Sequence, residues 1–264
     1  MIEAYFGFKK PPFTKELRAE NLMETYDSRE ATARLNHIRQ HRGLFCLTGE
    51  PGSGKTTVLR KFVDSLNPQT HLHCYTPHAT VSKTDFYRQL NILLNLPSRI
   101  RKCDLFNQIQ SAVSDLYSRQ GKVPCFILDE CQMMDHPTLQ EITLLTNFEM
   151  DSKVPFIMVL IGQPDLREKL KRRIHEPLSQ RIPLRYHMAG LNIEETRQYL
   201  LHHLKLVGRT DPIFEEASFE IIHQLALGLP RKINQLCIAS LTLAMLKKSQ
   251  VVSVDHVMQA SEGT

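Results

Sequence analysis

Residues 49–56 have the sequence GEPGSGKT, the most informative motif of this chain. It matches the phosphate-binding pattern GxxxxGK[ST], follows the apolar run at residues 44–47 and opens a stretch with helical periodicity, which is the context that the pattern requires. Its glycines let backbone N–H groups turn toward phosphate oxygens, and the N-terminus of the following helix adds partial positive charge. The stretch therefore predicts a binding site for a nucleoside triphosphate.

The side chains of this stretch have distinct predicted roles. Lys55 is expected to reach the β- and γ-phosphates, and the Thr56 hydroxyl to ligate Mg²⁺, the one metal ion that we infer. The residues expected to contact the nucleotide here are Gly49, Glu50, Pro51, Gly52, Ser53, Gly54, Lys55, Thr56 and Thr57. A chance glycine-rich turn is the alternative, and at ordinary residue frequencies such a match arises in roughly one chain in several hundred.

Short apolar runs alternate with stretches of helical periodicity around this loop. The runs are residues 43–48, 71–75, 124–128, 154–161 and 182–186. Repeated βα units predict a parallel five-stranded sheet with helices on both faces, which is an α/β fold with a three-layer αβα core. After Gly190 the strand patterns stop and only helical patterns continue, which predicts a small all-α lid domain.

We expect three segments along the chain. Residues 1–40 form an aromatic-rich segment and a helix packing on the core, residues 41–189 form the nucleotide-binding domain, and residues 190–264 form the helical lid. The 264 residues are 42% hydrophobic and 23% charged, which favours a globular protein over a disordered, collagen-like or disulfide-stapled one.

Cysteine usage and hydropathy bear on location. The six cysteines form no CxxC pair, and several lie inside apolar runs, which indicates reduced, buried thiols and a cytoplasmic protein. The longest apolar run, at residues 154–161, is too short for the roughly 20 residues that span a bilayer, so we expect no membrane segment.

Two acidic residues follow the apolar run at residues 124–128, in the sequence CFILDE. Open α/β sheets bind ligands at the carboxyl ends of their strands, so Asp129 and Glu130 are expected at the phosphate-binding edge. Asp129 would hold Mg²⁺, and Glu130 would orient and polarise an attacking water. The pair favours hydrolysis over a small-molecule kinase. A solvated acidic strand end is the alternative.

A neutral amide follows the run at residues 154–161, in Gly162-Gln163-Pro164-Asp165. If this strand neighbours the acid-bearing strand, Gln163 is placed to contact the γ-phosphate or the water. A polar residue in a turn formed by glycine and proline is an equally good interpretation.

The basic excess of the chain, +5, is local. Residues 167–185 hold seven basic residues against two acidic ones, namely Arg167, Lys169, Lys171, Arg172, Arg173, Arg181 and Arg185. Such a cluster is more often a solvated face, but an arginine reaching across a subunit contact would stabilise transition-state charge on a neighbour's nucleotide. Arg181 is the first candidate and Arg173 the second.

Arg231 follows Gly228-Leu229-Pro230 at the predicted start of a lid helix. Its guanidinium is placed to reach a phosphate and to couple the nucleotide to the angle of the lid. As a helix start, the same residues need no further function.

The chain resembles the P-loop NTPases of the AAA+ class, in particular the ExeA-like branch with its TnsC- and TniB-type transposition ATPases. The stretches that carry this resemblance are, in chain order, GEPGSGKT, CFILDE, LIGQPDL, LSQRI and GLPRKIN. The opening YFGF with PPF is similar to the N-terminal signature of that branch. The resemblance makes Lys55 and Thr56 the Walker A pair, Asp129 and Glu130 the Walker B pair and Gln163 sensor 1. It makes Arg181 the arginine finger, in competition with Arg172, Arg173 and Arg185, and Arg231 sensor 2.

The resemblance also implies partners. ATP with Mg²⁺ would drive assembly of a homo-oligomeric ring or helical filament, because each site is completed by an arginine of the next subunit. Transposition relatives wrap duplex DNA near the second strand, and the matching residues here are the stretch 76–84 with Lys83, then Arg99, Arg101 and Lys102. Ordinary solvated surface is the alternative for these four side chains.

Three functions stay open. The first is an ATPase that assembles on DNA and recruits or activates a transposase or another client protein. The second is an ExeA-like, secretion-associated ATPase, although such proteins continue into a membrane segment and this chain ends after its lid. The third is a nucleotide-gated scaffold that hydrolyses ATP slowly.

Overall fold

The computed structural model describes residues 2–14, 17, 19–77 and 80–263. The strands are β1 (Gly43–Gly49), β2 (His71–Thr76), β3 (Val123–Leu128), β4 (Ile157–Gly162) and β5 (Leu184–Met188). The helices are α1 (Ile2–Phe6), α2 (Tyr26–His41), α3 (Lys55–Asp64), α4 (Lys83–Leu93), α5 (Lys102–Ser118), α6 (His136–Leu145), α7 (Pro164–Lys171), α8 (Glu176–Gln180), α9 (Ile193–Leu206), α10 (Glu216–Ala226), α11 (Pro230–Leu246) and α12 (Val254–Glu262).

In the described part of the chain, five parallel strands form one sheet in the order β2-β3-β4-β1-β5. Thr48 of β1 is in register with Gly162 of β4 and with His187 of β5. The strand β4 lies between the strand that leads into the glycine-rich loop and the strand that carries the two acids. The predicted parallel five-stranded sheet is confirmed, and Gln163 follows a direct neighbour of the acid-bearing strand.

Alternating side chains of the sheet bury against different helices. Leu44, Cys46 and their counterparts on β3 and β4 belong to a cluster with α4 to α8, whereas Phe45, Leu47 and their counterparts pack with α2 and α3. Strands buried on both faces read as continuous apolar runs, which is why the sequence pattern predicts them. Each fully buried aliphatic side chain contributes roughly 1.5–3 kcal/mol. The three-layer αβα core is therefore confirmed.

The described residues fall into two compact units. One is drawn from Met1–Arg29, Glu50–Gly54 and Ala189–Thr264, and the other from Glu30–Gly49 and Lys55–Met188. The first unit has its own apolar core, formed by α9 to α12 together with three aromatic side chains of the N-terminal segment, Phe6, Phe8 and Phe13. Within the predicted segment 1–40, the helix α2 packs on the sheet, whereas the buried aromatic side chains fill the core of the C-terminal helices.

Element boundaries follow capping residues. Asn192 caps α9 through a capping box with Glu195, in which each side chain accepts a hydrogen bond from the other residue's backbone N–H. Asp135 caps α6 by accepting from the Thr138 N–H at 2.8 Å, so this helix begins at His136. Among the described residues, no helix is both long enough and apolar enough to cross a membrane.

Candidate nucleotide-binding site

The glycine-rich loop turns through two glycines with positive φ. Gly52 has φ +88° and Gly54 has φ +100°, which is backbone that side chains other than glycine rarely adopt. The Ser53 N–H donates to the Glu50 carbonyl at 3.1 Å. The Ser53 hydroxyl is buried and has no hydrogen-bond partner among the described residues. An orphaned hydroxyl in a loop of positive-φ glycines fits a phosphate ligand, which would accept its hydrogen bond.

The helix α3 begins directly after this loop, at Lys55. The Lys55 ammonium donates to the Gly49 carbonyl at 2.7 Å, so it is held at the carboxyl end of β1. Thr56, in the first turn of α3, is exposed, and that turn carries no acidic residue to offset the positive end of the helix dipole. The arrangement fits a phosphate with Mg²⁺, since ammonium, hydroxyl and carboxylate groups are the donor set that such a ligand requires.

Asp129 and Glu130 follow β3 at the carboxyl edge of the sheet. The Asp129 Oδ1 accepts from the Glu130 N–H at 2.9 Å, and its Oδ2 accepts from the Tyr75 hydroxyl at 3.0 Å. Partial burial and the neighbouring negative charge of Asp129 raise the pKa of Tyr75 to about 12, so this hydroxyl stays a donor at neutral pH. Glu130 is exposed and adopts a left-handed backbone at φ 55°, which is a strained conformation for a residue other than glycine.

Gln163 and Gln132 link β4 to the acidic pair. The Gln163 N–H donates to Gln132 Oε1 at 3.0 Å, and Gln132 Nε2 donates to Glu130 Oε2 at 2.5 Å. The predicted proximity of Gln163 to the acidic residues therefore arises through Gln132, a residue that the sequence reasoning did not select.

Arg231 contacts the glycine-rich loop within the first unit. Its N–H donates to the Gly52 carbonyl at 3.3 Å, and a Cβ added to Gly52 would lie 2.5 Å from the Arg231 Cβ. Arg231 is exposed in the first turn of α11, where a cation opposes the positive end of the helix dipole. An anion at this position would remove that conflict.

The four candidate arginines of the basic cluster differ in their contacts. Arg181 is 25% exposed and ion-paired with Asp151 at 2.5 Å. Arg185 donates to the Ser179 carbonyl and hydroxyl and lines a cavity of about 450 Å³. Arg172 lies 3.4 Å from His136 Nε2. The guanidinium of Arg173 is exposed and makes no hydrogen bond or ion pair within the described residues.

The candidate DNA contacts also divide into two classes. The ammonium groups of Lys83 and Lys102 both approach Glu141, a carboxylate only 5% exposed, at 3.9 and 2.5 Å. Arg99 and Arg101 are exposed. The proposed stretch 76–84 includes residues 78 and 79, which lie outside the described residues.

Two contributors to the site were missed from sequence. Tyr75 sits on the exposed edge strand β2, and its signal was only a tyrosine near the end of an apolar run. Gln132 follows the acidic pair by two positions, and a polar residue between Cys131 and Met133 in an otherwise apolar turn was an available signal.

Comparisons with known proteins bear on the family of this chain. Residues 38–170, half of the chain, match the family described as AAA domain. General secretion pathway protein A of Aeromonas hydrophila is 32% identical over 269 aligned positions, covering 99% of this chain and 48% of that protein. The chain thus spans about half the length of this relative.

Solved structures share the fold. Cdc6p of Pyrobaculum aerophilum has a TM-score of 0.71 at 16% identity, covering 95% of this chain and 70% of that one. Orc1 of Aeropyrum pernix, solved in complex with DNA, has a TM-score of 0.62 at 15% identity, covering 95% of this chain and 68% of that one. The RuvB Holliday junction branch migration motor of Thermotoga maritima has a TM-score of 0.60 at 18% identity, covering 91% of this chain and 70% of that one. At such identities the likeness is one of fold alone.

Proposed function

Because this chain belongs to the AAA domain family of ATPases, we propose that it binds ATP at the glycine-rich loop and hydrolyses it with Glu130 activating the attacking water. The observation that carries the proposal is the common placement of Lys55, Asp129 and Gln163 at the carboxyl ends of β1, β3 and β4. Open α/β sheets bind their ligands at this edge.

The residues divide the work by charge and hydrogen bonding. Lys55 and the loop N–H groups bind the phosphates, and Arg231 adds a cation beside Gly52. Mg²⁺, held by Thr56 and Asp129, would neutralise charge that develops on the phosphate oxygens. Glu130 accepts a proton from the water.

Two variants separate binding from chemistry. Lys55→Ala is expected to abolish ATP binding measured by calorimetry, because the loop loses its only side-chain ammonium. Glu130→Gln is expected to keep ATP affinity and lose hydrolysis. Arg60→Ala, an exposed position further along α3, serves as the control with both properties intact. Normal hydrolysis by Glu130→Gln would show that the water is activated elsewhere.

We further propose that the site is completed by an arginine from the next copy in a head-to-tail oligomer. Arg181, the first candidate, would have to leave Asp151, whereas Arg173 presents a guanidinium with no competing ion pair within the described chain. Both stay candidates for this role.

Mixing variants tests this contact. Two purified variants are mixed, one carrying Arg173→Ala or Arg181→Ala and the other carrying Lys55→Ala. Each variant is inactive when it is assayed alone. A mixed interface with Lys55 from one copy and the arginine from the other is complete, so ATPase activity should return for the arginine that acts between subunits. An arginine needed only inside its own subunit would give no recovery.

Two biological roles are proposed for this chain, and they rest on different support. The 32% identity with a general secretion pathway protein over nearly the whole chain supports a secretion-associated ATPase. The transposition regulator that assembles on duplex DNA rests on the motif resemblance and stays a prediction.

DNA retention discriminates between the two roles. A transposition ATPase should bind duplex DNA with a non-hydrolysable ATP analogue at low salt, with affinity falling steeply as salt rises. Arg99→Ala with Arg101→Ala should weaken that binding. Absence of retention would leave the secretion-associated role, and ATP-dependent assembly with very slow hydrolysis would favour the nucleotide-gated scaffold.

A further inference from the structure

Gln132 lies between the proposed water-activating residue and the residue that follows β4. It is 7% exposed in the short 3₁₀ turn Cys131–Met133. Its Nε2 donates to Glu130 Oε2 at 2.5 Å, and its Oε1 accepts from the Gln163 N–H at 3.0 Å. A backbone N–H only donates and an ionised carboxylate only accepts, so this amide orientation is the one that satisfies both neighbours.

Two further features restrain Gln132, one at its backbone and one at its side-chain amide. The Lys169 ammonium on α7 donates to the backbone carbonyls of Gln132 and Met134, the latter at 2.9 Å. A Cβ added to Gly162 would lie 2.9 Å from Gln132 Oε1, so the close approach of the amide to β4 requires glycine there. The amide therefore has little freedom to rotate away from Glu130.

Glu130 needs such a partner. Its side chain is exposed and would otherwise sample several rotamers, each of which places the carboxylate differently. The bond from Gln132 occupies one lone pair of Oε2 and fixes the direction in which the carboxylate faces. Positioning of a catalytic group to within about half an ångström depends on partners of this kind.

We infer that Gln132 is the positioning residue for Glu130, and that it ties the carboxylate to Gln163 at the end of β4. The inference rests on the proposed role of Glu130 in ATP hydrolysis. Because one amide binds both residues, a displacement of the Gln163 backbone moves the Gln132 amide and, with it, the Glu130 carboxylate. The rate of hydrolysis thereby depends on the position of the loop after β4.

Gln132→Glu is the sharpest variant. It keeps the size of the side chain and an acceptor for the Gln163 N–H, but it replaces the donor to Glu130 with a like charge. We expect kcat for ATP hydrolysis to fall at least about tenfold, a part of the 10²–10⁴-fold that a general base supplies, with KM and the ATP dissociation constant unchanged within about twofold. Gln132→Met loses both hydrogen bonds, so its kcat should fall at least as far.

The control is Gln140→Glu, the same substitution at an exposed glutamine on α6, which should leave kcat unchanged. Thermal denaturation of every variant reports whether it folds. If Gln132 only supports the turn through Gln163, Gln132→Glu retains a wild-type kcat and the inference is overturned.

A double variant tests whether Gln132 acts through Glu130. In single-turnover assays with radiolabelled ATP, adding Gln132→Met to Glu130→Gln should reduce the residual rate no further. An additional tenfold loss would overturn the inference, because Gln132 would then act independently. Wild-type hydrolysis by Glu130→Gln would overturn the proposed function and this inference together, whereas an inactive Glu130→Gln beside a normal Gln132→Glu overturns this inference alone.

Discussion

Replacing Gly228 by alanine tests how the C-terminal helices are joined. Gly228 lies between α10 and α11 with φ +67°, and its carbonyl accepts from the Leu191 N–H at 2.8 Å. A Cβ at Gly228 would lie 2.1 Å from the Leu191 carbonyl oxygen. A backbone oxygen cannot rotate away as the end of a side chain can, so the two segments would have to separate by about 1 Å to reach ordinary contact.

The expected loss has three contributions, namely backbone strain, a lost hydrogen bond and distortion of the neighbouring segments. The left-handed backbone costs an alanine roughly 1–2 kcal/mol. Loss of the Leu191 hydrogen bond costs roughly 0.5–1.5 kcal/mol. With the accompanying distortion, the free energy of unfolding should fall by about 2–4 kcal/mol, which lowers Tm by about 5–15 °C for a chain of this size. Urea denaturation followed by far-ultraviolet circular dichroism measures the first quantity and scanning calorimetry the second.

Gly7→Ala is the matched control in the same unit. Gly7 has φ +69°, and a Cβ there would meet nothing within 4 Å, so this variant carries the backbone strain without the collision. We expect it to lose roughly 1–2 kcal/mol. Equal losses in Gly7→Ala and Gly228→Ala would refute the reasoning, because the collision with Leu191 would then cost nothing.

Titration, a buried carboxylate and thiol accessibility give three further predictions. Burial and the charge of His202 lower the pKa of His203 from 6.5 to about 4, so the unfolded state binds this proton more readily than the folded state. The free energy of unfolding should therefore fall as the pH drops from 6.5 to about 4. Urea titrations at a series of pH values should show a weaker fall for His203→Phe. Glu141→Ala leaves the buried Tyr87 hydroxyl without its acceptor and should lower the free energy of unfolding by about 2–4 kcal/mol, whereas Tyr87→Phe should lower it by about 1 kcal/mol. A larger loss for Tyr87→Phe in denaturation experiments would contradict the assigned pairing. A thiol reagent should label one cysteine, Cys103, in the native protein and all six in denaturant, since the other five are buried, and additional native labelling would contradict that burial.

The central strands β1, β3 and β4 could be predicted because each is a run of residues buried on both faces. The helices could be predicted because their apolar positions recur with helical spacing, although their ends depend on capping contacts such as that of Asp135 on α6. The helix α8, five residues long, is too short to show the periodicity that predicts a helix.

The candidate site was only partly accessible from sequence. The Walker-type residues Lys55 and Asp129 stand in contiguous motifs, so their types and spacing suffice to propose their roles. The contacts of Arg181 with Asp151, and of Lys83 and Lys102 with Glu141, join positions 30 to 58 residues apart in chain number. No local pattern indicates which of these cations is already paired.

A phosphate-binding loop within an α/β core followed by helices could be predicted from the residues alone, because glycine content and apolar periodicity are local properties that act on neighbouring residues. The strand order, the bridge from Glu130 through Gln132 to Gln163, and the difference between Arg181 and Arg173 emerge only in the folded chain. These features depend on which surfaces pack together, and packing brings into contact side chains whose separation along the chain carries no information about their distance in space.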